Sequence, residues 1–171
     1  MATDDIGKTL LKIVRILDKG IIMERNARDF YAGASRRTKN RKAKKMFDWL
    51  AQFEVGHKAR LEAKRKQILS HKSLKGIKPT AVEEYKVSEA DPWVKIPEGI
   101  SEIEILKLAL KNEKKAYSFF QKKITFSEDE TLKVFFTQLA EEEEKHCRII
   151  EDQLRHLKMN HIWQDFEEFE N

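Results

Sequence analysis

Cysteine is nearly absent: Cys147 is the only one in 171 residues. One thiol closes no disulfide within the chain, and no Cys-x-x-Cys pair is available to hold iron or zinc. Glycine and proline are scarce too, six and three, which argues against a collagen-like chain or a turn-rich β-sandwich. No apolar run of about 18 residues occurs, so no transmembrane helix is expected. The opening stretch holds Asp4 and Asp5 and lacks a hydrophobic signal core. Export is therefore not expected, and the protein is read as cytoplasmic.

Charge is what the chain has in abundance: 37% of its residues are Asp, Glu, Lys or Arg, with a net charge of +5. That composition suits long, solvated, amphipathic helices, in one domain over 1–171 large enough to bury a core. Basic clusters lie at 36–45 and 58–66. Attraction to nucleic acid is one reading. No aromatic residue interleaves these clusters and acidic residues prevail in the second half, so solvated helix faces are the preferred reading.

Apolar residues recur at helical spacing in four segments. The first covers about 5–34 (Leu10, Val14, Leu17, Ile21, Tyr31) and the second about 40–69 (Met46, Phe47, Leu50, Leu61). The third starts at Ser101 and the fourth at Ser127, each Ser having a Glu three residues on, Glu104 and Glu130, as in a capping box. The expected architecture is all-α: two helical hairpins, 5–69 and 101–158, joined by a crossover over 70–100 that carries Pro79, Pro92 and Pro97. A loop this long needs a reason. Helices of about thirty residues are about 45 Å long, and an extended chain of similar length can run back along them to join two parallel helices. One long crossover is the ferritin-like form of the four-helix bundle. Trp93, Val94 and Ile96 are expected to clamp the crossing to the bundle, and the acidic tail with Trp163, Phe166 and Phe169 to pack as a short terminal helix.

The two hairpins are copies. Glu24 and Glu113 are 89 apart (113−24), as are Glu54 and Glu143 (143−54) and His57 and His146 (146−57). Ala27 with Ala116, Phe30 with Phe119, Phe47 with Phe136 and Leu50 with Leu139 keep the same offset. Repetition constrains the whole fold, because each half supplies a Glu and, thirty residues later, a Glu-x-x-His.

These six residues belong to core seams. Leu10, Leu17, Glu24 and Tyr31 form one seven-residue series, Phe47, Glu54, Leu61 and Ile68 another, and Phe136, Glu143, Ile150 and Leu157 a third. Glu24 and Glu54 are equidistant from residue 39, Glu113 and Glu143 from residue 128, so each pair lies level across its hairpin. Four carboxylates buried without compensation would cost several kcal/mol each and would repel one another. Two divalent cations would bring +4 against −4. A single Glu-x-x-His carries almost no information, since charged helices contain many. Two copies at one offset, each with a partner Glu in an apolar seam, point to a dinuclear metal site, the di-metal carboxylate arrangement of helical bundles.

Quoted this way, the chain resembles the ferritin-like superfamily, most closely its rubrerythrin and bacterioferritin branch. The resemblance implies that Glu54 and Glu143 bridge two irons, with Glu24 and Glu113 as terminal carboxylates and His57 and His146 as terminal imidazoles. Tyr117, one turn from Glu113, is the candidate hydrogen-bond donor to the ligands, with core packing as its alternative. Where rubrerythrins usually add a carboxylate, this chain has Ala116, and a rubredoxin domain is missing. The haem-binding Met of bacterioferritins is replaced by Val55, so no haem is expected. The resemblance implies a di-iron oxidoreductase, peroxidase-like or ferroxidase-like, that oxidises Fe(II) or reduces O2 or H2O2. It would use a separate electron donor and assemble as a homodimer or larger homo-oligomer. Manganese or mixed Mn/Fe occupancy stays open. The alternatives are a ferritin-like storage cage and a non-catalytic, metal-stabilised binding module. Cys147 is read as a small buried filler rather than a redox thiol.

Overall fold

The computed structural model describes residues 2–71 and 96–165. Among them are four helices: α1 (Ala2–Arg37), α2 (Arg41–Leu69), α3 (Glu102–Phe126) and α4 (Glu130–Asn160). The crossover residues 72–95, including Trp93 and Val94, and the tail residues Phe166 and Phe169 lie outside the described residues.

Each observed helix start has a local cause. The Asn40 side chain accepts hydrogen bonds from the amides of Lys42 (2.9 Å) and Ala43 (3.2 Å), satisfying two of the amides that open α2. Ser101 forms the expected capping box: its hydroxyl accepts from the Glu104 amide, and the Glu104 carboxylate accepts from the Ser101 amide at 2.8 Å. The capping box expected at Ser127 does not form. Helix α3 runs on to Phe126, so Ser127 becomes its C-cap, and α4 starts instead from Asp129, whose carboxylate accepts from the Leu132 amide at 3.0 Å.

Contacts between helices set their directions. Asp18 pairs with Arg65 and Glu24 lies near His57, so α1 and α2 run antiparallel. Tyr31 meets Glu113 while Thr38 meets Glu102, so α1 and α3 are antiparallel too. It follows that α2 and α3 point the same way, which is why their connection must traverse the bundle. Gly20 stands where α1 and α2 pack closely: a Cβ there would meet Leu61 side-chain atoms at 3.2 and 3.3 Å.

The interior divides into two apolar clusters. One, near the α1–α2 turn, gathers Tyr31, Met46, Phe47, Leu50, Leu106 and Leu157. The other, towards the opposite end, gathers Leu17, Leu61, Phe120, Phe136 and Leu139. Burying side chains of this size stabilises by about 1.5–3 kcal/mol each. Ile96, near the end of the crossover, joins the first cluster, and Arg37 donates to the carbonyls of Ile96 (2.6 Å) and Pro97 (2.9 Å).

The terminal helix expected beyond residue 160 is absent over the described 161–165. His161 adopts a left-handed conformation (φ 56°), which ends α4 and turns the chain back. Trp163 then packs edge-on against Phe47 with ring centroids 5.9 Å apart, and its indole N–H donates to Glu102 at 2.6 Å. Among the described residues no helix is long and apolar enough to cross a membrane.

Candidate metal centre

Between the two apolar clusters lies a polar layer. Glu24 comes from α1, Glu54 and His57 from α2, Glu113 from α3, and Glu143 and His146 from α4. All six are at most 1% exposed. Every ligand candidate named from the sequence is therefore in one place, at one depth, on four different helices.

The atoms form two quartets that share two members. Glu24, Glu54, His57 and Glu143 present ligand atoms within 4.8 Å of one another, and so do Glu54, Glu113, Glu143 and His146. Glu143 divides itself between them: Oε1 lies 3.0 Å from His57 Nδ1 and Oε2 3.4 Å from His146 Nδ1. Glu54 does the same, with Oε2 3.4 Å from His57 Nδ1 and Oε1 3.5 Å from His146 Nδ1. The two imidazoles lie nearly parallel, 17° between planes and 5.4 Å between centroids.

Buried polar atoms are normally hydrogen-bonded. Here Glu24 Oε1, both oxygens of Glu54 and of Glu143, Glu113 Oε2 and the Nδ1 atoms of His57 and His146 have no aligned hydrogen-bond partner. Outside the six residues, only Asn112 Nδ2 shares this condition among the described residues. Lone pairs from four carboxylates and two imidazoles, converging and unpartnered, fit a pair of divalent metal ions. Oxygen and imidazole donors suit iron or manganese, and the thiolates of closed structural zinc sites are missing.

Electrostatics tell the same story with protons. Burial, then the charges of Glu143 and Glu54, holds Glu24 and Glu113 well above the usual carboxylate range. Burial would also raise Glu143, but the His57 charge and the closeness of both imidazoles outweigh it and hold Glu143 well below. Both imidazoles are raised well above 6.5: burial opposes this, but Glu143 prevails for His57, and Glu113, Glu143 and Glu54 for His146. Without metal, these shifts favour protons on Glu24, Glu113 and both histidines, which moves the charge of the layer towards zero.

Three neighbours of the layer differ from the sequence reading. Tyr117 is partly buried and packs against the apolar cluster around Phe120. Tyr31, fully buried on α1, is the tyrosine whose hydroxyl donates to Glu113. Glu142, which no sequence signal singles out, is held by the Arg60 guanidinium through two bonds, one of 3.0 Å. Its Oε2 lies 2.9 Å from His57 Nε2, an oblique contact that the ring N–H does not point along. Burial opposes the charge on Glu142, but His57 and Arg60 dominate and lower its carboxyl to about 2. Seven-residue spacing does place Tyr31 in the Glu24 seam. Choosing it over Tyr117 requires knowing that α1 faces α3, and nothing local marks Glu142 from its neighbours.

The rubrerythrin family model matches residues 15–154, with a second match over 104–168. The chain belongs to the rubrerythrin family. Two solved structures share its fold. A hypothetical protein from Pyrococcus furiosus is 21% identical, over 85% of this chain and 90% of that one, with a TM-score of 0.67. A manganese catalase from Anabaena is 18% identical, over 94% of this chain and 80% of that one, with a TM-score of 0.68. No curated protein matches by sequence. The rubrerythrin-family helical bundle and the carboxylate–histidine layer together characterise a ferritin-like protein with a dinuclear metal site.

The remaining residues singled out are structural. Cys147 is buried, and burial followed by the charges of Glu113 and Glu143 pushes its thiol to about 12, so it is an inert filler. Within the basic stretches Lys58 pairs with Glu62, Arg65 with Asp18 and Lys42 with Asp165.

Proposed function

We propose that this protein is a dinuclear-metal oxidoreductase that acts on O2 or H2O2. The observation that carries the reading is the sharing of Glu54 and Glu143 between two buried quartets of unpartnered ligand atoms. Glu54 and Glu143 would be shared by two metal ions, with Glu24 and His57 holding one and Glu113 and His146 the other. Bound iron or manganese would supply the electrons that O2 or peroxide accepts.

The chain's own groups prepare the site. Tyr31 holds Glu113 by donating its hydroxyl hydrogen, which fixes one carboxylate rotamer and keeps a proton beside the centre. Arg60 anchors Glu142 against His57, so the imidazole keeps Nδ1 turned inward. Phe53 stands edge-on to both imidazoles, 6.4 Å from His57 and 5.5 Å from His146, and walls the site from water.

Elemental analysis of freshly purified protein should find two iron or manganese ions per chain, and its ratio decides between the metals. Loaded protein should consume O2 or H2O2, and a Glu54→Ala, Glu143→Ala variant should not. Equal consumption by both proteins would overturn the reading.

A further inference from the structure

The surface between α1 and α3 bears a groove of about 620 Å³ lined by seven basic side chains and no acidic one. Arg15 and Lys19 stand on the α1 side, and Lys111, Lys115, Lys122 and Lys123 on the α3 side. Ile16 and Phe119 form its apolar floor. Lys19 and Lys123 lie over the Phe119 ring, 5.7 and 5.0 Å from its centroid. Partial burial, together with the neighbouring Lys19 and Lys122 ammonium groups, keeps Lys123 below its usual value. Lys114 is already paired with Glu151 at 2.7 Å, but the cluster as a whole concentrates positive charge that suits an acidic partner.

The groove's position relates it to the metal layer. Lys111, Lys114 and Lys115 bracket Glu113 in sequence, and Phe119 is six residues further on, about 9 Å along the axis. Lys111 and Lys122 leave α3 roughly opposite Glu113, so little more than one helix, about 10–12 Å across, separates the groove from the carboxylates. Electrons can tunnel across one helix.

The proposed reaction needs electrons, and a chain with one cysteine builds no thiolate iron centre to carry them. We infer that the α1–α3 groove docks an acidic one-electron carrier protein that reduces the dinuclear site. This inference rests on the oxidoreductase reading above. Two reduced carriers each give up one electron, and the sum is H2O2 + 2H⁺ + 2e⁻ → 2H2O.

Other occupants fit less well. The lysines extend over twelve residues of α3, about 18 Å, too far for one phosphate to bridge. A single-stranded nucleic acid would use Phe119 as a stacking platform, but lysines already cover that ring. In a second copy, Glu144 and Asp152 of α4 are engaged by Arg148 and Arg155. A small protein with an acidic rim around its redox centre matches the basic rim of this groove.

The test uses the metal-loaded protein and a Lys111→Glu, Lys115→Glu, Lys122→Glu variant, with a Lys44→Glu, Lys45→Glu, Lys39→Glu variant as a control of equal charge change. A reduced, acidic [2Fe–2S] ferredoxin and dithionite are the two reductants, mixed by stopped flow after peroxide oxidation. Binding of the oxidised ferredoxin is measured in parallel by calorimetry. Reduction by ferredoxin should slow at least tenfold in the groove variant and on raising salt from about 50 to 300 mM, while dithionite reduction and the control stay unchanged. Ferredoxin affinity should fall with the rate. Equal rates in wild type and groove variant, an equal loss in the control, or loss of single-stranded DNA binding with ferredoxin kinetics intact would each overturn the assignment. If the centre proves redox-inert, calorimetry still decides whether the groove binds the carrier, so the two readings fail separately.

Discussion

Two side chains outside the six-residue layer decide how well it is held. Tyr31 donates to Glu113 inside a fully buried environment, and its own ionisation is pushed well above 10 by burial and the charges of Glu113 and Glu54. Tyr31→Phe removes the donor and leaves a buried carboxylate oxygen unsatisfied. The metal-free variant should lose about 1–3 kcal/mol, measured by urea unfolding at neutral pH. An unchanged midpoint would show that the hydrogen bond contributes nothing. Glu142 acts on His57 from the other side. Glu142→Gln keeps the volume but loses the charge that orients the imidazole, so metal affinity should fall about 10- to 100-fold in competition with a chelator while the helical content is kept. Acid should reveal the same group. With its carboxyl lowered from 4.5 to about 2, Glu142 contributes stability above the ordinary value that is lost as pH falls through that window. Glu142→Gln should therefore flatten the acid limb of the stability curve.

At the scale of elements, helix starts separate what the sequence shows from what it conceals. Ser101 and Ser127 carry the same spacing to a glutamate, yet the box closes only at Ser101. At the second site Asp129 lies two residues further on and competes for the same role, and α3 has already taken Ser127 as its end. Ser101→Ala and Asp129→Ala should each cost about 1 kcal/mol in thermal or urea unfolding, and Ser127→Ala much less. Comparable losses at Ser127 and Asp129 would contradict the assignment. The seams were legible because seven-residue spacing reports which residues share a helix face, and this placed Glu24, Glu54, His57, Glu113, Glu143 and His146 in one layer before any coordinates. Tyr31 and Glu142 were not legible as neighbours of that layer. Their contacts are 82 residues away in sequence and depend on which helices face each other, which periodicity within one helix does not encode. Over 161–165 the expected terminal helix is absent for a related reason: Trp163 is fixed by Glu102 and Phe47 from other helices.

The whole molecule carries its charged interior in two alternative ways, by protons or by metal ions, and pH should tell them apart. Without metal, Glu24, Glu113, His57 and His146 all have raised values. A group raised on folding contributes stability that is complete below its unfolded value and is lost as pH rises through its folded value. The metal-free protein should therefore weaken as pH rises above the ordinary imidazole value of about 6.5 towards the raised ones. Glu54 and Glu143, lowered rather than raised, stay ionised across this window and do not reverse the trend. Metal ions must displace the same protons, so their binding releases protons and strengthens as pH rises. At a free metal concentration of about 100 times Kd the stabilisation is about 2.7 kcal/mol, a Tm rise of roughly 5–11 °C for a chain of this size. The gap in Tm between metal-loaded and metal-free protein should be wider at pH 8 than at pH 6, and calorimetry in buffers of different ionisation enthalpy should register proton release on loading. A gap that narrows with rising pH, or loading without proton release, would mean that the six residues do not exchange protons for metal at this layer.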